Sequence, residues 1–237
     1  MQKQKILITG VSSGLGHALA EAYLNAGSTV YGCSRRSPDD LIAKGLQFES
    51  IDLTDAEAGA MAFEKWIGGI EAWDLVILNA GKLGEIRDLA ETPLADLRET
   101  MEINTWSNKW LLDALFAQSE TIRQVIAVSS GASRSGNRGW NGYGISKAAL
   151  NMLVQLYAAE QPETHFTSLA PGLVDTAMQD YLTKEADSER FSTIQRLREA
   201  KGTDDMPDAR TCAQLLIDTF PKLLNQPSGD FVDIRKL

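Results

Sequence analysis

Short apolar runs alternate with stretches of helical spacing along the whole chain. Lys5 to Thr9 is an apolar run of strand length. A glycine-rich turn follows over Gly10 to Gly16, and a helical pattern then continues to Asn25 and stops at Gly27. Thr29 to Cys33 and about Leu46 to Ile51 read as the next two strands, with a helical stretch over Asp55 to Trp66 behind them. "WDLVILNAG" supplies a fourth strand ending at Asn79, and Pro93 to about Ser119 carries helical spacing enough for two helices. "QVIAVSS" is a fifth strand, the next helix runs from near Tyr143 to near Glu160, and "HFTSLAPG" is a sixth strand with its turn. Residues 177–205 are charged and helix-prone with no obvious core face, and "GDFVDI" closes the chain as a seventh short strand.

Strands that are apolar without strict alternation belong to a parallel sheet covered on both faces. Strand and helix in regular alternation predict a doubly wound α/β fold, with a seven-stranded, mostly parallel sheet in one domain spanning 1–237. The 237 residues, 43% hydrophobic and 23% charged, suit one globular domain with a sizeable core.

A formal net charge of -9 repels phosphate backbones, so nucleic acid is not expected as a partner. The apolar runs are too short for a signal peptide or a membrane span, so no membrane partner is expected. Cys33 and Cys212 lie far apart without metal-ligand spacing, which fits a reducing compartment and a cytoplasmic protein. His17 and His165 have no partners that imply a metal, so no metal site is expected.

Gly10, Gly14 and Gly16 stand between the first strand and the first helix as G-x-x-x-G-x-G. Glycines there permit a tight turn and close approach of a pyrophosphate to the free N–H groups of the helix start. The plainer alternative is a turn with close helix–strand packing. About 20 residues on, where an acid would bind a ribose 2′-hydroxyl, the chain has Ser34, Arg35 and Arg36. A guanidinium there holds a 2′-phosphate and favours NADP(H), against the alternative of two solvated arginines in a loop. Asp39 and Asp40 fall past Pro38, outside the expected pocket.

Four segments in order, "TGVSSGLG", "NAG", "YGISK" and "PGLVDT", together resemble the classical short-chain dehydrogenases/reductases. The resemblance implies a catalytic set of Asn104, Ser130, Tyr143 and Lys147. It implies dinucleotide contacts from Thr9, Gly10, Ser12, Ser13, Gly14, Leu15 and Gly16. Asp52 and Leu53 would sit at the adenine, and Asn79, Ala80 and Gly81 on the adenosine side. Pro171, Gly172, Val174 and Thr176 would hold the nicotinamide, with Tyr143 and Lys147 at its ribose. "GWNGYGISKAALNM", "APGLVDTAMQ" and "SGDFVD" are similar to the sepiapterin reductase and benzil reductase branch, where Asp233 would correspond to a carboxylate anchoring a pterin. Ser13 departs from the basic residue common in NADP-dependent members, which leaves NAD(H) open. Pairing through the helices of Asn104 and Tyr143 implies a homodimer or homotetramer.

The chemistry agrees with the pattern. A carbonyl accepting hydride needs a proton donor, and a free tyrosine titrates too high to exchange readily at neutral pH. Tyr143 and Lys147 are i and i+4 on a helix, so the cation is expected to lower the phenol. Ser130 would hydrogen-bond the substrate oxygen, and Asn104 would hold a water that passes protons to Lys147. Trp140 and Met178 are candidate substrate walls, with Tyr181 and Leu182 beside them and 177–205 as a lid. The expected activity is NADPH-dependent reduction of a ketone, vicinal dicarbonyl or pterin side chain. An NAD-dependent alcohol dehydrogenase and a non-catalytic dinucleotide sensor are the alternatives.

Overall fold

A computed structural model of the chain describes residues 3–237. The first half builds β1 (Lys5–Thr9), α1 (Gly14–Asn25), β2 (Thr29–Ser34), α2 (Asp39–Ala43), β3 (Gln47–Ser50), α3 (Ala56–Ile67), β4 (Ala72–Trp73) and β5 (Leu75–Leu78). Next come α4 (Leu94–Met101), α5 (Ser107–Gln118), β6 (Thr121–Ile122), β7 (Gln124–Val128), α6 (Asn141–Glu160) and β8 (His165–Ala170). The chain ends with α7 (Ala177–Lys184), α8 (Ser192–Ala200), α9 (Ala209–Leu223) and β9 (Phe231–Asp233). Seven strands form one sheet in the order β3-β2-β1-β5-β7-β8-β9, and every pairing is parallel. The seven-stranded doubly wound architecture is therefore present.

Continuous apolar strands bury both faces. On one face, Ile6, Ile8, Leu75, Ile77 and Ile126 pack against α1 and α9 through Leu19, Tyr23, Leu216 and Phe220. On the other, Leu7, Val76, Leu78, Val125 and Ala127 pack against α3, α5 and α6 through Phe63, Leu111, Leu115, Leu150 and Val154. The strand order reverses at β1, whose neighbours are β2 and β5. The carboxyl ends of β1 and β5 therefore flank a crevice, the usual ligand position in an open α/β sheet.

One feature refines the sequence expectation and two differ from it. The stretch Pro93 to Ser119 is two α-helices joined by a π-helical turn at Glu102–Trp106. Helix α9, started by Asp208 accepting from the Thr211 N–H at 2.7 Å, was not legible beside the charged segment before it. And residues 177–205 do have a core face. Leu182, Ala186, Phe191, Ile194 and Leu197 are buried against Leu83, Ile86 and Tyr143. Phe191, Ile194, Leu197 and Ala200 recur every third position, a narrow stripe that the surrounding charge obscures.

Candidate active site

The turn after β1 is closed by its neighbour strand. Thr9 Oγ1 accepts from the backbone N–H groups of Asn79 and Ala80, both at 3.0 Å. The Asn79 amide donates to the carbonyls of Thr9 at 2.9 Å and Gly10 at 3.3 Å. A Cβ on Gly16 would stand 2.3 Å from both the Asn79 amide and the Gly10 carbonyl, so no side chain fits. Ser13 precedes α1 without a side-chain cap, which leaves the first N–H groups of the helix for a ligand. The glycine turn is thus a packing device whose open helix N-terminus could hold an anion.

A cavity of about 1320 Å³ opens at this crevice. It is lined by Gly10, Ser12, Ser13, Gly14 and Leu15 at one end, and by Ser130, Trp140, Tyr143, Lys147 and Met178 at the other. Ser34, Arg35, Arg36, Asp52, Leu53, Asn79, Ala80, Gly81, Pro171, Gly172, Val174 and Thr176 line it as well. Thr9 and Gly16 do not line it and act from behind, through the closure just described. Asp40 is turned to His17 at 2.9 Å and Asp39 accepts from Ser37, so neither acid lines the cavity. Asp52 is held below the usual carboxylate range, chiefly by the Thr54 backbone N–H. The size, the glycine cradle, the free helix N-terminus and the two arginines fit a dinucleotide.

The polar end is built on α6 and β7. Of the two serines after β7, Ser129 is buried and donates to Asn151 at 2.6 Å, whereas Ser130 lines the cavity. Lys147 is buried and donates to the Val128 carbonyl at 2.7 Å, with its Nζ 5.9 Å from the Tyr143 ring centroid. Burial pulls the Lys147 ammonium down to about 8. Burial also pushes the Tyr143 phenol above its ordinary value, opposed by a hydrogen bond with Ser130. The expected lowering of Tyr143 by Lys147 is not found: desolvation raises the phenol, and the group that opposes it is Ser130.

Asn104 lies in the π turn, buried, and does not line the cavity. Its amide nitrogen donates to the Lys82 carbonyl at 2.8 Å and to Ser146 at 2.9 Å, while its Oδ1 accepts from the Lys82 N–H at 2.7 Å. The side chain is thus mainly a clamp between the π turn, the loop after β5 and α6.

Trp140 donates its indole N–H to Thr193 at 3.0 Å and packs on Tyr143 with ring centroids 5.9 Å apart. Tyr181 is turned away from the cavity and accepts from the Ile86 N–H at 3.2 Å, while Leu182 is buried and lines it. Asp233 is buried and does not line the cavity, because Arg235 takes its carboxylate through two nitrogens at 2.9 and 2.6 Å. Arg235 itself lines the cavity, as does Arg196 on α8, and neither was singled out from sequence. Their only sequence signal is a positive charge in an acidic chain. Among the described residues no cluster of three metal-ligating side chains occurs, and no helix is long and apolar enough to cross a membrane.

The family model for short chain dehydrogenase matches residues 4–187. The chain belongs to this family of oxidoreductases. It is 28% identical over 241 residues to a benzil reductase ((S)-benzoin forming) of Bacillus subtilis, covering 97% of this chain and 98% of the relative. It is 30% identical over 256 residues to the sepiapterin reductase of Meriones unguiculatus, covering 96% and 94%. Among solved structures, a short-chain dehydrogenase/reductase from Saccharomyces cerevisiae superposes with a TM-score of 0.84 at 23% identity, over 98% of this chain and 96% of that one.

The buried amine makes a pH-dependent contribution. The unfolded chain holds the Lys147 proton to 10.5, the folded protein only to about 8. Folding therefore penalises the charged form at neutral pH, and the penalty is relieved as pH rises from about 8 towards 10.5. Ligand-free Lys147→Met is expected to melt at or above wild type at pH 7 and to lose that advantage between pH 8 and 10. A melting difference that stays flat across that window, followed by circular dichroism, rules out the buried ammonium as its source.

Proposed function

We propose that the protein is an NADPH-dependent carbonyl reductase acting on a ketone, most suitably a vicinal dicarbonyl or pterin-type compound. The observation that carries this is the convergence of Ser130, Tyr143 and Lys147 at one end of a cavity whose other end is a glycine cradle with Arg35 and Arg36. The benzil and sepiapterin reductases among the relatives support the substrate class.

A dinucleotide held by the glycine turn, Arg35 and Arg36 would supply the hydride. The protein holds the substrate oxygen between the hydroxyls of Ser130 and Tyr143. Tyr143 donates the proton as negative charge develops on that oxygen, and its raised pKa keeps it protonated at neutral pH. Lys147 presents a positive charge from below, on the same helical face. Asn104 acts by fixing Ser146 and the Lys82 backbone around that face, with one Oδ1 lone pair left for a water. Trp140, Met178 and Leu182 wall the substrate, and 177–205 closes over them as a lid clipped by Arg190 to Asp88 and Glu91, each at 2.6 Å.

Tyr143→Phe is expected to lower kcat by about 10²–10⁴-fold while NADPH affinity is kept. Near-normal turnover of the variant on a carbonyl panel removes Tyr143 from the proton-donor role. Robust NADPH binding by wild type without turnover of any carbonyl favours the sensor reading instead.

Arg35 and Arg36 are exposed at the cavity and have no ion-pair partner among the described residues. They supply the donors for a 2′-phosphate. Arg35→Asp should weaken NADPH by about tenfold or more and leave NADH nearly unchanged, measured by titration calorimetry. Equal affinities of the wild type for the two cofactors argue for the NAD-dependent alternative.

Helix α6 exposes Ile145, Met152 and Leu156 on the face opposite Tyr143 and Lys147, and Trp106 is exposed on the π turn. Such a stripe on a monomer marks an interface, and we read it as the contact of a homodimer. Met152→Glu with Leu156→Glu should halve the mass measured by light scattering. An unchanged mass, or a monomeric wild type, sinks the dimer.

A further inference from the structure

Arg235 stands in a place that the reductase chemistry above does not use. It occupies a short 3-10 turn, Ile234–Lys236, directly after β9. Asp233 is 8% exposed and starts that turn by accepting from the Arg235 backbone N–H at 3.1 Å. The same carboxylate takes Nε and Nη2 of the Arg235 side chain. The fork is therefore fixed along one edge. A guanidinium carries five N–H donors, so three remain after these two bonds. Asp233 is the only acceptor these nitrogens meet among the described residues, and the side chain is 51% exposed.

Nη2 keeps a second N–H beside its bond to Asp233, and this nitrogen lies at the Ser130 end of the cavity. A Cβ on Gly131, the residue after Ser130, would be 3.5 Å from Arg235 Nη2. A Cβ on Gly172 would be 3.6 Å from both Cγ and Cδ of the same side chain. Two positions without side chains thus leave room for Arg235 one residue away from the serine that meets the carbonyl. Charge narrows the ligand further. Asp233 already neutralises the guanidinium, and the chain as a whole is at -9, so the site offers directional donors rather than a net positive field.

We propose that Arg235 is a specificity-determining residue that donates to a second, neutral carbonyl oxygen adjacent to the one being reduced, and that Asp233 is its positioning residue. This rests on the carbonyl-reductase reading. It names the feature of the substrate that the site selects: a vicinal dicarbonyl is held at both oxygens, the reacting one by Ser130 and Tyr143 and its neighbour by Arg235. A site built to donate to a substrate oxygen discriminates against the analogue that lacks it.

The test compares benzil with deoxybenzoin, in which one carbonyl is a methylene, using NADPH and the full-length protein. Arg235→Leu is expected to lower the ratio of kcat/KM for benzil over deoxybenzoin about tenfold, mainly through KM. Arg235→Lys should recover part of the ratio. Asp233→Asn should lower the same ratio less, and the double variant should fall no further than Arg235→Leu. NADPH titration of each variant reports folding and cofactor binding separately. An unchanged ratio in Arg235→Leu overturns the assignment and leaves the reductase reading standing. So does a ratio lost in Asp233→Asn but kept in Arg235→Leu, which places the carboxylate itself on the substrate. A wild-type enzyme that reduces neither compound overturns the reductase reading and this assignment with it.

Discussion

The closure of β1 on β5 by Thr9 and Asn79 is the constraint on which the site depends. Two backbone N–H groups converge on one threonine hydroxyl, and one asparagine amide spans two successive carbonyls. These bonds fix where the chain leaves β1 and how closely α1 begins beside β5. The space left is so small that Gly16 cannot carry a Cβ. The same tightness aims the start of α1 at the crevice where the sheet order reverses. Neither Thr9 nor Gly16 touches the cavity, yet the cavity's shape follows from them.

A second constraint sets the other end. Lys147 is held with its ammonium almost fully enclosed, which costs stability and lowers its proton affinity. Such a group persists only where the surroundings over-determine it. Here α6 is pinned on two sides. Asn104 and Thr105 in the π turn bond Ser146, through its hydroxyl and its carbonyl respectively. Asn151 joins α6 to Ser129 and Ser133 on the other side. A π turn inserts an extra residue into a helix, and here the inserted stretch is the one that grips α6. The π turn thereby fixes the position of α6, which carries Tyr143 and Lys147.

The fold was largely legible because its signal is redundant. Seven apolar runs and their order specify the sheet, and each strand-to-helix turn carries its own glycine or polar signal. Most residues lining the cavity were legible for the same reason, since they follow the carboxyl ends of β1, β2, β3, β5, β7 and β8 or sit on α6. What was missed lies where the signal is weak or cancelled. Phe191, Ile194 and Leu197 are diluted by seven charged residues from Lys184 to Arg198 that read as surface. Thr9, expected among the dinucleotide contacts, acts from behind the cavity, because a motif gives residue identity and not which way a side chain is turned. Asp233 shows the limit most clearly. Its position matches an anchoring carboxylate, but the next-but-one residue is an arginine that takes both of its oxygens.

That pair also separates local from global charge. A net charge of -9 would predict a cavity hostile to any acceptor-rich ligand, yet the groups facing it include Arg35, Arg36, Arg196 and Arg235. At the glycine-cradle end Arg35 and Arg36 make no ion pair among the described residues, and Asp52 is the carboxylate whose charge Arg35 feels, so on the proposed reading most of their charge is left for a phosphate. At the substrate end Arg235 is already neutralised, so what it offers is direction rather than attraction. On the proposed reading the two ends make opposite demands, one for an anion and one for a neutral oxygen at a fixed angle. One side chain type meets both demands only because Asp233 is present at one end, and carboxylates such as Asp39 and Asp40 are turned away at the other.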